Sequence, residues 1–521
     1  MSIGFQRLEL VVAAVISVAV RLMFIAPYPS GWDDVDFALA LDTFDVSRMQ
    51  PHFPGYPVYM LTGHLFHSPG QDPFASLAIL SAAAGGLTVV PLLLLFRSLG
   101  AQGPARLAVW IYAIAPLPLI SSVQPTSDAL GAFLAAWLAW FCWRGAKPQD
   151  QDGLGDAVER RKRICAILAA GVTLGLLLGV RISYAAFSLL WLWMAVVVWR
   201  GNKIATGFRL FIASSAASTV CICGVWLGAL AISEGGLDSF LKLAGSFTAG
   251  HFSDWGGAYR ADQSIIARAG FIVLRQIGAA GLGTLWVEDF GCRWIPTIAV
   301  FIGFIGTIWR FRWLKSLLSV RAAGFLFFCS VPYGLWAFFA QNADKPRHIL
   351  PLLPFVIYII ASGLLGLRLR KLAFAAVGGL WFAGTALVSI PLLATAHTEP
   401  SPMVQLASYI KENVPSRNRL FFTWEEQRVI SYMSPEHTVI RLRTWNDLRT
   451  SVLQYPDAPL QIFATNALID GLDRPIGKWF EPRQTFSGSP WIYPTYHDIV
   501  LYESVPSFME TIRTGKQEGE S

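Results

Sequence analysis

Long apolar stretches recur along the first three quarters of the chain, and short alternating segments follow them. A helix of about 20 apolar residues crosses the roughly 30 Å of hydrocarbon in a bilayer. The stretches that approach or reach that length are 8–28, 74–96, 106–123, 128–143, 164–180, 184–199, 209–232, 291–308, 322–340, 348–367 and 372–396. The pattern predicts a polytopic α-helical membrane domain over residues 1–396, with about eleven transmembrane helices.

The pattern changes after residue 396. Residues 397–521 are rich in charged and polar positions, and no apolar run there reaches spanning length. The elements predicted in this part are helices over 400–413, 425–433 and 444–454 and strands over 418–423, 438–442, 460–464 and 497–503. Because alternating helices and strands favour parallel pairing, residues 397–521 are predicted to form a small water-soluble α/β domain.

Composition supports a membrane protein. Hydrophobic residues make up 54% of the chain and charged residues 14%, and the mean hydropathy is +0.48. A soluble domain has about a quarter of its residues charged. The net charge of +7 is explained by basic loops, so no nucleic-acid partner is expected.

The basic loops also predict the orientation of the spans. Lys and Arg collect on the cytoplasmic side of a membrane, and here the basic loops alternate with loops that carry few of them. The loops predicted to face outward are 29–73, 124–127, 233–290 and 341–347. We therefore expect a multi-pass protein of the bacterial inner membrane, with a cytoplasmic N-terminus and a C-terminal domain on the periplasmic side.

The positions of the cysteines and the absence of nucleotide-binding motifs argue against several classes of protein. The six cysteines lie in or beside predicted spans and none lies after residue 397, so neither a disulfide framework nor a cysteine metal site is predicted. The chain has no Walker loop and no GxGxxG motif, so direct use of a nucleotide is unsupported.

Three aspartates follow the first apolar stretch: Asp33, Asp34 and Asp36. In a helix that begins near Trp32, Asp33 and Asp36 share a face. Like charges that lie close together raise each other's proton affinity, which suits a general base or a metal ligand. The alternative is that one of them caps the helix and the others are solvated. A stiff turn follows at 51–57, and then a helix at 54–66 that is predicted to lie at the membrane interface.

Basic residues occupy the outward turns. Arg181, Lys345 and Arg347 lie there, and His348 follows directly. An arginine at membrane depth is costly unless it is paired or faces a cavity. Snorkelling to the interface is the alternative for Lys345 and Arg347, and pairing with an acid of the first outer loop is the alternative for Arg181. Arg21, inside the first stretch, is expected to pair with another helix.

Together these motifs resemble the GT-C superfamily of membrane glycosyltransferases, of the protein O-mannosyltransferase or aminoarabinose transferase type (glycosyltransferase family 39 or 83). The matching segments are the acidic pair at 33–34, the turn His52-Phe53-Pro54-Gly55-Tyr56-Pro57, the short turn 124–128 with its acid, the Gly179-Val180-Arg181 turn, and Lys345–Pro354. The resemblance covers about residues 1–400. It implies an enzyme that moves a sugar, with inversion, from a polyprenyl-phosphate-linked donor to an acceptor on the outer face of the membrane.

The resemblance also implies roles for the matched residues. Asp33 matches the base that takes the proton of the acceptor hydroxyl, and Asp34 matches the second acid of the pair. The chain departs from the family in having Asp-Asp instead of Asp-Glu and an additional acid at Asp36, so the base could lie one position away. The residues assigned to the substrate or acceptor are Asp36, His52, Tyr56, Asp128 and His251. The residues assigned to the donor phosphate are Arg181, Lys345, Arg347, His348, Arg268 and Arg275; the last two lie seven apart on one face of a helix over 264–287 and could instead bind lipid headgroups.

Several alternatives stay open. The 233–290 loop is either a lid over the substrate or a solvated loop anchored by Trp residues. No cofactor is expected, although His52, His64 and His67 with the nearby aspartates could hold a divalent ion such as Zn²⁺. The expected partners are a polyprenyl-phosphate sugar, membrane lipids and an envelope lipid, glycan or protein. A transporter or flippase of a lipid-linked glycan and a non-catalytic scaffold are the competing functions.

Overall fold

The computed structural model describes residues 3–147, 157–201, 206–252, 264–287, 289, 291–313, 320–367, 369–454 and 460–514. The chain divides into two compact units. The first comprises Met1–Ile25 and Leu39–His397, and the second comprises Ala26–Ala38 and Thr398–Ser521. The segment that carries the three aspartates therefore belongs to the same unit as the C-terminal residues.

Helices dominate the chain up to residue 398. They are α1 (Ile3–Met23), α2 (Trp32–Asp42), α3 (Pro57–Phe66), α4 (Pro73–Leu87), α5 (Val89–Leu99), α6 (Gln102–Ile114), α7 (Pro116–Ser121), α8 (Asp128–Gly145), α9 (Ala157–Val180), α10 (Ser188–Gly201), α11 (Thr206–Ser233), α12 (Leu237–Gly250), α13 (Ile265–Gly270), α14 (Trp294–Trp313), α15 (Val320–Ala340), α16 (Leu353–Gly366) and α17 (Lys371–Thr398). Shorter 3₁₀ segments cover Val46–Arg48, Ile182–Phe187, Gly291–Arg293 and Pro346–Leu352, and a π-helical segment, Phe271–Leu282, extends α13.

The predicted class, a polytopic helical membrane protein with a small C-terminal α/β part, is confirmed. In the described part of the chain, nine helical segments are long and apolar enough to cross a membrane, and eight of them coincide with predicted spans. The ninth, Ile265–Leu282, lies in the predicted outer loop 233–290. Of the remaining predicted spans, 8–28 falls on α1, 128–143 falls on α8, and 106–123 is broken at Ala115 between α6 and α7. The count of eleven stays a prediction.

Close helix contacts hold the first unit together. A side chain at Gly171 of α9 would collide with the backbone of Ser215 on α11, because its Cβ would lie 2.0 Å from the Ser215 carbonyl oxygen. Small residues let membrane helices approach this closely, so that van der Waals packing and hydrogen bonds can hold them. At the same crossing, the Ser215 hydroxyl donates to the Ile167 carbonyl at 2.7 Å.

Arg21 is buried within the first unit, and all three of its guanidinium nitrogens donate hydrogen bonds. Its Nε donates to the Ser122 hydroxyl at 2.7 Å, one Nη bonds to Ser17, and the other reaches the Ala113 carbonyl at 3.0 Å. Ala113 lies on α6 and Ser122 follows α7, so Arg21 bonds to other helices, as expected. A buried guanidinium is tolerated because its donors are satisfied.

The second unit contains a five-stranded sheet. Its strands are β1 (Arg419–Thr423), β2 (Thr438–Arg441), β3 (Gln461–Thr465), β4 (Phe480–Ser487) and β5 (Asp498–Ser504), in the order β2-β1-β3-β5-β4. Its helices after α17 are α18 (Pro402–Asn413), α19 (Gln427–Met433), α20 (Trp445–Leu453), α21 (Asn466–Gly471) and α22 (Pro506–Thr514).

Parallel pairing of β1 with β2 and β3 is the arrangement that the alternating pattern predicted. β5 joins β3 in the antiparallel direction, and β4 pairs with β5 at the edge of the sheet. Sequence reasoning missed β4, because only Phe480 and Phe486 are buried along it and Pro482 interrupts the alternation. The proline sits beside a register shift on an edge strand, where a missing N–H is tolerated.

Candidate functional site

The three aspartates lie at the start of α2, and their surroundings differ. Asp34 is 1% exposed and accepts hydrogen bonds from both the backbone N–H and the hydroxyl of Ser30, each at 2.6 Å. Ser30 lies immediately before the helix, so this carboxylate stabilises the turn that leads into α2. Acids in the first turn also complement the helix dipole.

Asp36 is fully buried and paired within the second unit. One carboxylate oxygen accepts from Arg428 Nε at 2.7 Å and the other accepts from the indole N–H of Trp32 at 2.9 Å. Arg428 belongs to α19 and lies 392 residues further along the chain. Its guanidinium and that of Arg441 also lie near the Trp32 ring, 5.9 and 4.7 Å from the ring centroid. A buried carboxylate needs such a partner.

Asp33 is the most accessible of the three. It is partly exposed, whereas Asp34 and Asp36 are buried. A general base must reach the proton that it removes. Accessibility thus favours Asp33 for that role, with Asp34 and Asp36 engaged in holding the segment.

Arg181 and Asp128 form a buried ion pair in the first unit. Arg181 Nη1 donates to Asp128 Oδ1 at 2.7 Å and to the Ser127 hydroxyl at 3.2 Å. Asp128 opens α8 and is 1% exposed, and Arg181 lies in the turn after α9 and is 8% exposed. The structure thus joins two residues that the sequence assigned separately, one to the acceptor and one to the donor phosphate.

Tyrosines surround this pair. The Tyr184 ring centroid lies 5.9 Å from the Arg181 guanidinium, and the Tyr333 ring meets Tyr184 edge-on at 5.3 Å. The Tyr333 hydroxyl donates to the His348 carbonyl at 2.9 Å. The Tyr56 hydroxyl is close enough to interact with Arg181 electrostatically. This aromatic group connects the Arg181 turn to the turn at 341–348.

The 51–57 turn supplies Tyr56 to that group. Gln50–Pro51 and Phe53–Pro54 are cis peptide bonds, and Tyr56 has a φ of 45°, in the left-handed region. Its hydroxyl shares a 2.9 Å hydrogen bond with His52 Nε2. A residue other than glycine in this region is strained by about 1–3 kcal/mol, and such strain collects at functional sites. Gly55 must be glycine, because its φ is +87° and a Cβ there would lie 2.8 Å from Leu230.

Two predicted residues, Arg268 and His251, bond to the segment that ends α15, and Gln276 does so as well. Arg268 Nε donates to the Phe338 carbonyl and its Nη2 to the Gln341 carbonyl, both at 2.7 Å. His251 Nε2 lies 2.8 Å from the Ala340 carbonyl, and the Gln276 amide donates to the Ala343 carbonyl. A helix C-terminus presents carbonyls without helical partners, and cationic donors suit it. In this structure Arg268 stabilises that turn.

The remaining basic residues are partly exposed. Lys345 begins the 3₁₀ turn Pro346–Leu352, and Arg347 and His348 lie within it. Arg275 lies over the Phe271 and Trp286 rings, 5.3 and 6.0 Å from the centroids. Asp128 balances the charge of Arg181, and Lys345 and Arg347 place two further basic side chains at the turn after α15.

Sequence reasoning gave no role to Ser127, Tyr184, Gln276, Tyr333 and Arg428. Tyr184 and Tyr333 lie within the predicted spans 184–199 and 322–340, and Arg428 lies within the predicted helix 425–433. Ser127 directly precedes Asp128 and Gln276 directly follows Arg275, and that adjacency to assigned residues was the available signal. Residues 253–257 and Glu288, which belong to the predicted lid, lie outside the described residues.

No group of three His, Cys, Asp or Glu that could hold a metal ion occurs among the described residues.

The fold is that of the GT-C glycosyltransferases, as the motifs predicted. ArnT from Cupriavidus metallidurans bound to undecaprenyl phosphate is similar over 97% of this chain and 99% of its own, with a TM-score of 0.57 and 11% identity. The Archaeoglobus fulgidus oligosaccharyltransferase tethered with an acceptor peptide is similar over 95% of this chain and 76% of its own, with a TM-score of 0.54 and 13% identity. The AglB oligosaccharyltransferase of the same organism, in complex with an inhibitory peptide and a dolichol-phosphate, gives a TM-score of 0.51 and 14% identity over 98% of this chain and 78% of its own.

No protein-family model matches the sequence. No curated protein matches it either. The similarity therefore lies in the fold.

Proposed function

We propose that this protein is an inverting membrane glycosyltransferase that takes its sugar from a polyprenyl-phosphate-linked donor. The observation that carries the proposal is the similarity in fold to ArnT over nearly the whole of both chains, because that structure holds undecaprenyl phosphate. The acceptor is an envelope lipid, glycan or protein, and transfer takes place on the outer face of the bacterial inner membrane.

The acid segment supplies the base. Asp33 takes the proton of the acceptor hydroxyl as the hydroxyl oxygen forms a bond to the anomeric carbon of the sugar. The bond from that carbon to the phosphate oxygen breaks, and its electron pair leaves with the polyprenyl phosphate. General-base catalysis of this kind contributes roughly 10²–10⁴-fold to a rate.

The basic turn stabilises the leaving group. A polyprenyl phosphate departs as an anion, so no acid is needed to protonate it. Arg347 and Lys345 supply the positive charge, and the planar guanidinium suits phosphate oxygens. Arg181, with its charge balanced by Asp128, orients the tyrosines around it. Since these groups can meet the charge, we assign the reaction no metal ion or other cofactor.

Substitution of Asp33 tests the proposal. We expect the purified protein in lipid nanodiscs to transfer labelled sugar from polyprenyl-phosphate donors to an envelope extract, and Asp33→Asn to reduce transfer by about 10²-fold or more. Asp42→Asn is the matched control, because Asp42 is an exposed acid on the same helix. Wild-type protein that transfers no sugar from any donor, or Asp33→Asn protein as active as wild type, would contradict the proposal. Movement of the donor across the membrane without transfer would favour a flippase.

A further inference from the structure

An apolar groove runs between α6 and the first turns of α17 in the first unit. It has a volume of 460 Å³. α17 belongs to a segment that is long and apolar enough to cross a membrane, so a molecule that fills the groove would come from the bilayer. The residues that line it include Leu107, Trp110, Phe374, Gly378, Gly379 and Phe382.

Glycines shape this groove. A side chain at Gly378 would meet Leu107 at 3.2 Å, and one at Gly103 would meet Phe374 at 3.4 Å, so a small residue on one helix faces a large residue on the other. Gly379, the next residue on α17, differs from both, because a Cβ built there meets no atom within 4 Å. The space beside Gly379 is therefore open.

The length of the groove matches one leaflet of a bilayer. Phe374 and Phe382 are the first and last residues of α17 that line it, and they lie eight residues apart. Eight residues extend about 12 Å along a helix. The hydrocarbon of one leaflet is about 15 Å deep, half of the roughly 30 Å core. A single acyl chain therefore fits the groove along most of its depth in the leaflet.

A basic pair lies at one end of the groove. Arg370 and Lys371 are exposed and come one helical turn before Phe374. Residues 73–127 and 345–398, which include both helices of the groove and the loops beside them, contain no Asp or Glu. Neither helix therefore carries an acid that could balance this pair.

An acid of α1 does reach α6, but two arginines already bind it. Glu9 accepts a hydrogen bond from Arg106 Nε at 2.7 Å and also pairs with Arg97. One carboxylate against two guanidinium groups leaves this cluster with a net positive charge. Glu9 therefore does not offset the charge of Arg370 and Lys371.

The predicted orientation suggests which lipids this pair meets. Arg370 and Lys371 belong to a basic loop that is predicted to face the cytoplasm. Anionic lipids give the cytoplasmic leaflet a negative surface, and basic pockets between membrane helices on that side bind their headgroups. The charge at the end of the groove is complementary to a lipid phosphate.

We propose that the groove between α6 and α17 binds one anionic phospholipid, with an acyl chain beside Gly379 and the phosphate at Arg370 and Lys371. The apolar groove alone would accept any acyl chain, and the basic pair selects an anionic headgroup. The site uses none of the residues assigned to sugar transfer, so it does not rest on the proposed glycosyltransferase function.

Lipid titration tests the headgroup. The full chain in detergent is titrated with phosphatidylglycerol or with phosphatidylcholine of the same acyl chains, and bound lipids are counted by native mass spectrometry. We expect the wild type to bind its first phosphatidylglycerol about tenfold more tightly than phosphatidylcholine. Arg370→Gln/Lys371→Gln should remove this preference. Arg161→Gln/Lys162→Gln is the matched control, because it removes another exposed Arg-Lys pair near the start of a helix, α9, and it should keep the preference.

A second variant tests the groove and leaves the charges in place. Gly379→Leu fills the open space, and it should fold because leucine is a better helix former than glycine and its Cβ meets no neighbour. We expect it to weaken binding of the first phosphatidylglycerol by about tenfold. Gly224→Leu is the control, because Gly224 is an exposed glycine of α11 whose Cβ position is equally open. Glycerol 1-phosphate, which has the phosphate without acyl chains, should not displace the lipid from the wild type.

Each of the following results overturns the proposal. Equal binding of both lipids by the wild type would mean that the site does not select a headgroup. A loss in the charge variant alone would show that the basic pair attracts lipids without the groove, and a loss in Gly379→Leu alone would show an apolar occupant without an anionic headgroup. Displacement by glycerol 1-phosphate would show a site for free phosphate. A wild-type dimer that Gly379→Leu converts to a monomer would show that a second copy of the chain fills the groove.

Discussion

At the scale of single residues, one run of three aspartates contains three different environments. Ser30 holds Asp34, Arg428 and Trp32 hold Asp36, and Asp33 keeps partial access to solvent. The three aspartates could be identified from the sequence because they lie close together in it. Their environments could not be predicted, because Arg428 is 392 positions away and no local pattern connects it to Asp36.

The Asp36–Arg428 pair should control the stability of the second unit and the placement of Asp33. Arg428→Gln leaves a buried carboxylate without its cation, so we expect it to destabilise this unit by about 3 kcal/mol. Asp36→Asn/Arg428→Gln should recover part of that loss, since it leaves no uncompensated charge. Thermal unfolding measures both effects.

Activity provides the second readout for this pair. Arg428→Gln should lower kcat more than it changes KM for the donor, because a displaced Asp33 removes protons less well while donor binding is unaffected. Arg449→Gln, an exposed arginine in the neighbouring helix α20, serves as control. Additive losses from the two single substitutions would show that Asp36 and Arg428 act independently.

At the scale of elements, the loop between β1 and α19 depends on Glu426. This residue is fully buried, and one of its carboxylate oxygens accepts the backbone N–H groups of Trp424 and Glu425, each at 3.0 Å. Burial raises its pKa above the ordinary 4.5, and the charge of Glu425 adds to the increase, although the hydrogen bonds oppose it. The folded unit therefore holds the proton of Glu426 more tightly than the unfolded chain does.

A pH dependence of stability follows from Glu426. Because the folded pKa is higher than the unfolded one, the stability contributed by this group is fully present below about pH 4.5 and is lost as the pH rises through the folded pKa. Glu426→Gln, which cannot ionise, should reduce that loss in thermal unfolding curves recorded between pH 4.5 and 8. Glu412→Gln removes an exposed acid from α18 and should leave the slope unchanged. Equal slopes for wild type and Glu426→Gln would contradict this expectation.

Elements were predictable where apolar residues recur or follow one another along them. The elements that coincide with predicted ones are α18, β1, α19, β2, α20, β3 and β5. β4 is exposed over most of its length and α21 has only six residues, so their apolar pattern is weak. In the candidate site, the Arg181–Asp128 pair could not be predicted from a local pattern either, because α8 and the Arg181 turn meet only in the folded chain.

At the scale of the whole molecule, the fold follows from the order of apolar stretches and turns more than from residue identity. Similarity over 97% of the chain coexists with 11% identity to ArnT. A transmembrane helix needs an apolar segment long enough to span the membrane and hydrogen bonds for its backbone N–H and C=O groups. Many different sequences meet both needs. Motifs such as 51–57 and 345–354 predicted the fold because they fix turns between such helices.

The charge of the loops predicts how the chain crosses the membrane, and this can be measured directly. If the number of spans is odd and the basic loops are cytoplasmic, the N-terminus is also cytoplasmic and the C-terminal unit lies on the periplasmic side. We expect alkaline phosphatase fused after Ser521 to be active in a bacterial host, and green fluorescent protein fused there to be dark. Fusions after Lys147, in a basic loop, are the control and should give the opposite result. A fluorescent fusion after Ser521 would place Asp33 and the C-terminal unit in the cytoplasm, and transfer on the outer face of the membrane would then have to be abandoned.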